Sequence, residues 1–432
     1  MAVVTTHLEL PYGRGRLSFV LPPGWRPDLF RPSAVPLPED PQEEVSCSLD
    51  HPLGSRRLEA FRNAGSVAIA ISDETRPIPY PLILPPLLER LSRMGIAPSS
   101  IRLLIASGLH PPMEEARLPS LLPSEILKRY PVVIHDARQD SLNYLGETSR
   151  GTPVFLNPRF LDADLRLVIG LIDPHQFVGY TGGVKAAAIG LAGERTIEAN
   201  HSMLFQPGAV VGVIENNPVR EDIEEIGRMM GIHWVLNVVL DEANRVVKVF
   251  CGDPVEVEKT GSQFCRSIYE AKAAKEYDLV IASPGGYPKD LNAYQAQKAL
   301  AHVTPLVREG GDILFLAECP DGHGDDLFYR MMVKYGTPRE VVDHFKRARF
   351  KMGDHKAFLW CRSLIKAEVH LHSEMDEGLA RVLMVSPVKT LSEVFERIGR
   401  KYAAPPRVAV MPKANSTYIK IQTNGSRYLT GC

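Results

Sequence analysis

Cysteine is sparse and unpaired in this sequence. The six residues, Cys47, Cys251, Cys265, Cys319, Cys361 and Cys432, are scattered, and no two stand as C-x-x-C. A disulfide framework or a cysteine-rich zinc site is therefore not expected, and a reducing compartment is. Neither sign of charge is in excess, because 50 Lys+Arg against 51 Asp+Glu give a formal net charge of −1. Without a basic field to hold nucleic acid or an anionic membrane, the chain points to a small-molecule ligand. Long apolar runs are missing too, and no segment reaches the ~20 residues that a membrane helix needs. The N-terminal "MAVVTTHLELPYGRGRLSFVLPP" has no basic stretch leading into an apolar one, so a cytoplasmic protein is expected. Three catalytic signatures are also absent: G-x-G-x-x-G after a strand, H-E-x-x-H and G-x-S-x-G. Nicotinamide dehydrogenase, zinc peptidase and serine hydrolase readings thus lack their motif.

What is present has the balance of an ordinary globular chain, 44% hydrophobic and 23% charged over 432 residues, long enough for two domains. Short β-branched runs alternate with helical patterns, the signature of a mainly parallel α/β sheet. Strands are predicted at "SVAIAIS" (66–72), "IRLLIAS" (101–107), "YPVVIHD" (130–136), "LRLVIGLI" (165–172), "YDLVIAS" (277–283), "GDILFLAE" (311–318) and "ARVLMVS" (380–386). Helices are predicted at "LILPPLLERLSRMG" and "NPVREDIEEIGRMMG", the second from the spacing of Ile223, Ile226 and Met229 or Met230. Residues 22–45, rich in proline and acid, read as an extended connection. A helical link at 265–276 divides the chain into a 1–266 domain and a 267–432 domain, with the last residues free to pack back on the first.

Several strands run into unusual polar loops: "DETRP", "GLHPP", "DPHQFVGYTGGVK", "PGGYPKDLNAYQAQK" and "CPDGHGDD". In open α/β sheets ligands bind outside the carboxyl ends of the strands, so these loops are expected to enclose a cleft. Asp73 and Arg76 can form a local ion pair, or Arg76 can serve as a planar fork for a carboxylate or phosphate. His110 is either a plain loop histidine or a general acid/base, since its unperturbed pKa lies near ~6.5. Lys185 follows Gly182-Gly183 but precedes Ala186, so this is no P-loop. It is a surface lysine at a helix start, an anion contact or a covalent lysine. His201, sixteen residues on, can ligate a metal through imidazole. His370 and His372 share one strand face, a spacing that suits a metal pair, but no third ligand with fitting spacing accompanies them, which favours packing.

Together "SDETRP", "SGLH", "DPHQFVGYTGGVK", "EANHS" and "SPGGYPKDLNAYQAQKAL", with "LPYG" near the start, resemble the nickel-dependent lactate racemase family. The resemblance implies two α/β domains with an interdomain active-site cleft. It also implies nickel within a nickel-pincer nucleotide (pyridinium-3-thioamide-5-thiocarboxylic acid mononucleotide) covalently attached to Lys185. His201 would be the protein's nickel ligand, and His110 and His175 the acid/base pair. Arg76 and Lys298 would hold the substrate carboxylate, with Gln295, Tyr294 and Asp73 assisting. Asp73, Thr181, Gly182 and Gly183 would line the cofactor, and Trp360 would pack on its pyridinium. Pro111 stands where family members often carry arginine, a departure that bears on substrate contacts.

The implied reaction is racemisation of a short 2-hydroxy acid, with lactate the first expectation and malate, longer-chain or aryl acids as alternatives. The hydrogen on a non-acidic carbon would leave as hydride while a base takes the hydroxyl proton, giving a 2-keto acid. No side chain accepts hydride, so a cofactor must. Separate cofactor-synthesis and nickel-insertion proteins would be partners. A pyridoxal phosphate racemase with Lys185 as the imine lacks an evident phosphate cup. A non-catalytic metabolite-binding protein is the reading from another class.

Overall fold

The computed structural model describes residues 6–138, 141–345, 347 and 355–422. The chain forms two compact units, Ala34–Ser267 and a second made of residues up to Ser33 together with those from Ile268 onward. Among the described residues no helix is long and apolar enough to cross a membrane. Cys47, Cys251, Cys265, Cys319 and Cys361 are all free thiols.

The 34–267 unit is built on a six-stranded sheet. Its order is Val246–Gly252, Trp234–Leu240, Leu165–Leu171, Val67–Ser72, Ile101–Ala106, Val132–Ile134. All neighbours are parallel except the first pair, which is antiparallel. Numbered along the chain within this sheet, that order is 6-5-4-1-2-3, the doubly wound arrangement. It reverses direction between Leu165–Leu171 and Val67–Ser72, the switch point at which such sheets open a crevice for ligand. The central strands are apolar on both faces because helices cover both. On one side Ile83, Leu84, Leu87, Leu88 and Leu91 of the helix Tyr80–Arg93 join Ile69, Ile71, Leu103, Ile105 and Leu167 in one core cluster. Truncating one of these to alanine costs about 2–5 kcal/mol.

The second unit carries another six-stranded sheet, all parallel, in the order Ser386–Pro387, Ala367–His372, Val307–Leu316, Tyr277–Ala282, Val408–Met411, Pro27–Leu29. An antiparallel hairpin, His7–Tyr12 with Gly15–Val20, packs Leu10 and Phe19 into its core beside Leu279, Leu314 and Phe395.

Four expectations are corrected here. The division at 266 overlooks residues 1–33, which belong with the later part of the chain. They do so because Pro27–Leu29 is an edge strand on Val408–Met411 and because Trp25 packs on Phe395 at 5.7 Å. The final residues, 423–432, lie outside the described part. The extended 22–45 stretch gives way to a helix at Pro41–Asp50, which Asp40 caps by accepting from Gln42 N. "ARVLMVS" is no strand. Asp376 caps a helix at Glu377–Val382, which the Glu377–Arg381 ion pair supports at i,i+4, and only Ser386–Pro387 joins the sheet. The 265–276 link is the end of a helix, Pro254–Tyr269, followed by a short strand, Glu270–Ala273.

Candidate active site

The residues singled out in the 34–267 unit gather at the switch point. Asp73 follows the strand Val67–Ser72 and His110 follows Ile101–Ala106, its neighbour in the sheet. Asp73 Oδ2 lies 2.7 Å from His110 Nδ1, so the aspartate pairs with this histidine rather than with Arg76. Thr75 donates to Asp73 through both its backbone N–H and its hydroxyl. Burial pushes the Asp73 carboxyl up, but the hydrogen bonds from His110 and Thr75 outweigh it and hold the group below its ordinary value. A carboxylate only accepts, so His110 Nδ1 carries the hydrogen and Nε2 the lone pair. The His110 side chain is 52% exposed, open to a reactant.

"DPHQFVGYTGGVK" leaves the strand Leu165–Leu171 and doubles back as a two-residue ladder, Pro174–Tyr180 and His175–Gly179. Thr181 pins its base, accepting from Asp173 N at 2.9 Å and donating to the Leu171 carbonyl. The Val178 N–H donates to His175 Nδ1 at 3.3 Å. That assigns the hydrogen of the neutral His175 ring to Nε2, the opposite tautomer from His110.

The glycines answer to the protein around them. Gly182 has φ +99°, and a Cβ there would stand 2.5 Å from Ile172 Cγ1. Gly183 has φ +57°, and a Cβ would stand 2.5 Å from Arg220 Nη2. Beneath them Asn237 Oδ1 accepts from Gly183 N at 2.6 Å, and Arg220, 1% exposed, donates to the carbonyls of Tyr180 and Gly182 at 3.3 Å each. Arg220 also pairs with Glu224 and with Glu258, the latter at 3.3 Å. Lys185 opens the short helix Lys185–Ala188 beside this cluster, half-buried. Burial first, then the charges of Arg76 and Arg220, bring its ammonium down to about 7, against the opposing pull of Glu258. Near neutral pH much of it is therefore a neutral, nucleophilic amine. Glu258 is pushed up to about 8 by burial, against Arg220 and with Glu224.

His201 lies on the helix Glu194–Ser202, 7% exposed. Its Nδ1 is 3.0 Å from Asn200 Oδ1. The Phe177 ring stands edge-on to both His175 (centroids 4.6 Å) and His201 (5.2 Å), linking the glycine-rich loop to that helix.

In the second unit, Tyr294, Gln295 and Lys298 share one face of the helix Ala293–Val303 by their i,i+3 and i,i+4 spacing. Asn292 caps it by accepting from Gln295 N at 2.9 Å. Gln295 is exposed and the other two are half-buried. Burial, then Asp325, push the Tyr294 phenol up to about 12, so it stays a donor. Trp360 does not present a ring face. It is 1% exposed, its indole N–H donates to the Leu383 carbonyl at 2.8 Å, and its ring meets Phe328 at 5.9 Å. It packs as a core tryptophan, which corrects the expectation that it stacks on a cofactor. The packing role of His370 is clear from its partners: Nε2 on Asp312 at 2.9 Å and Nδ1 on Arg397 at 2.5 Å. Asp312, Glu368 and His370 could reach one cation, but Asp312 is already held by Lys401 (2.9 Å) and Tyr402 (2.7 Å). His372 Nδ1 lies 3.1 Å from the Val388 carbonyl.

Two family models match the chain. The lactate racemase N-terminal domain matches residues 12–212, and the lactate racemase C-terminal domain matches residues 272–419. A curated lactate racemase of Lactiplantibacillus plantarum is 32% identical over 388 residues, spanning 88% of this chain and 91% of the relative. The chain belongs to the lactate racemase family. A second lactate racemase, from Thermoanaerobacterium thermosaccharolyticum, is 29% identical over 424 residues, 96% of this chain and 99% of the relative. The lactate racemase apoprotein structure from that organism matches with a TM-score of 0.90 at 29% identity, covering 96% of this chain and 100% of that one. A Thermotoga maritima structure at 15% identity and TM-score 0.63, covering 91% and 100%, shares the fold alone. As a member of this racemase family the chain is an isomerase.

Sequence reasoning missed several residues that pack around the glycine-rich loop and the His201 helix. Phe177, Asn200, Asp222, Asn237, Arg220 and Glu258 are all buried. One signal was available: Asn237 interrupts the otherwise apolar "WVLNVVL", and a polar residue inside a buried strand calls for a partner. The Arg220–Glu224 pair shows its i,i+4 spacing, but nothing local says that both face inward.

Proposed function

We propose that this isomerase racemises a short 2-hydroxy acid, lactate first, with a nickel-pincer nucleotide covalently attached to Lys185. The observation that carries the reading is the gathering, at one sheet's switch point, of two histidines in opposite tautomers beside a lysine poised as a neutral amine. Features of this chain support the group. The Lys185 amine suits an acyl link to a carboxyl-derived arm. The His201 ring offers imidazole to nickel. When bound, the nucleotide supplies the hydride acceptor that no side chain offers.

The protein's own residues do the rest. Arg76 holds the substrate carboxylate as a pivot. His110 Nε2 takes the hydroxyl proton of one enantiomer, and Asp73 stabilises the imidazolium that forms. After the carbonyl swings about the carboxylate, His175, protonated from solvent, gives a proton to the oxygen on the other side and returns to its neutral form, while the His110 imidazolium releases its proton to water. Two histidines are needed because the oxygen occupies two places.

Purified with its cofactor-synthesis and nickel-insertion proteins, the chain is expected to interconvert enantiomers in a screen over lactate, malate, longer-chain and aryl 2-hydroxy acids. Deuterium at C2 should stay on carbon, and rapid exchange with solvent would overturn the hydride route. Lys185→Ala should abolish the covalent adduct in intact mass; an adduct that persists places the attachment elsewhere.

A further inference from the structure

We propose that Asn200 and Asp222 form a positioning chain behind His201 that fixes which of its ring nitrogens faces the metal. The proposal rests on the nickel reading above and adds to it two residues that touch neither metal nor substrate.

Both side chains are fully buried. The Asn200 amide nitrogen donates to Asp222 Oδ2 at 2.8 Å and to the Val219 carbonyl at 3.2 Å. Neither of those oxygens can donate, so the –NH2 end of the amide must point at them. Asp222 is held as an acceptor in turn. Thr148 and Thr152 donate their hydroxyls to its two oxygens at 2.6 and 3.0 Å, while Thr148 Oγ1 accepts from the Thr152 N–H at 3.1 Å. With the amide oriented, its Oδ1 is the atom 3.0 Å from His201 Nδ1.

An amide oxygen only accepts, so Nδ1 carries the ring hydrogen and the neutral imidazole keeps its lone pair on Nε2. The edge-on Phe177 ring at 5.2 Å restricts the imidazole from the side. The chain runs from helix Pro218–Met230 through Asn200 to the ring. It reproduces, with an amide inserted, the arrangement in which a carboxylate fixes the tautomer of a ligating histidine and raises its basicity.

The deciding measurement on the unaltered chain is the nitrogen spectrum of 15N-histidine protein without cofactor, above neutral pH, with His201 assigned by loss of its signal in His201→Gln. The expected pattern is Nδ1–H with an unprotonated Nε2. Asn200→Ala is expected to shift the ring toward Nε2–H. An Nε2–H ring in the unaltered protein overturns the proposal. In the nickel-loaded enzyme, Asn200→Ala should release nickel to a chelator about 10–100-fold faster. Asp222→Asn, which keeps the shape and lowers the risk of misfolding, should release it at an intermediate rate. Release unchanged in both variants, while His201→Gln loses its nickel, overturns the positioning role. Nickel held equally by His201→Gln overturns the ligand reading and the proposal with it, and the tautomer spectrum tells that failure from failure of the chain itself.

Discussion

Asp73 fixes the tautomer of an exposed loop histidine. It is 37 positions away in sequence from His110, so no local pattern shows the pair, and Arg76 three residues on is the more obvious partner to a reader of the chain. Asp73→Asn keeps the shape but offers an –NH2 that can leave His110 with the wrong tautomer. Racemisation followed by polarimetry should show kcat falling about 10²–10⁴-fold. Lys185 makes a second prediction at this scale. Its folded value, about 7, lies below the ordinary lysine value of 10.5. Between those values the unfolded chain binds a proton that the folded chain does not, so the lysine's cost to stability is full below about pH 7 and vanishes near 10.5. In the cofactor-free protein, Lys185→Met should therefore raise the thermal midpoint at pH 7 and much less at pH 10. Equal gains at both would mean that the lysine is not desolvated.

Elements were legible where pattern and packing agree. The buried strands Val67–Ser72, Ile101–Ala106 and Leu165–Leu171 and the helices Tyr80–Arg93 and Pro218–Met230 follow from their apolar runs or helical repeat, whereas Trp234–Leu240 and Val246–Gly252 are not among the predicted strands. The failure at 380–386 has a local cause, since β-branched residues there are overruled by a cap and an ion pair on a short helix. The loop after Leu171 was legible as a site but not as a structure. The resemblance has Gly182 and Gly183 line a cofactor, and a Cβ on either would meet Ile172 or Arg220. Gly179 is the most constrained of them, with φ +81° and the Val213 carbonyl oxygen 2.0 Å from where a Cβ would stand. Gly179→Ala should cost about 1–3 kcal/mol or more and displace the His175 ladder. Thermal unfolding and kcat measured together would check both, and a midpoint within error of the parent would contradict the packing argument.

At the scale of the whole molecule, the sheet order was not readable, because strand adjacency is set by crossovers and not by any one segment. The polar loops gave its consequence in advance: they mark the carboxyl edge, and the order then places two of them on either side of the switch point. The discontinuous unit is the other feature the sequence concealed. Three residues of edge strand and a hairpin carry residues 6–33 onto a sheet that begins more than 240 positions later. Removing residues 1–33 should raise amide exchange first in Val408–Met411, whose edge it uncovers. Hydrogen exchange by mass spectrometry would show it, and unchanged protection there would contradict the pairing.

The opposite tautomers of His110 and His175 make the resting site lopsided. One ring rests with a lone pair outward and the other with an N–H, so under the proposed reaction the two mirror-image substrates meet different machines. The two acids nevertheless have identical free energies in water, and an enzyme cannot alter an equilibrium constant of one. The kcat/KM values for the left- and right-handed acids must therefore match in the parent and in every variant, however crippled. The lopsidedness can appear only as compensating differences in kcat and in KM, a handedness written into saturation and invisible at trace substrate.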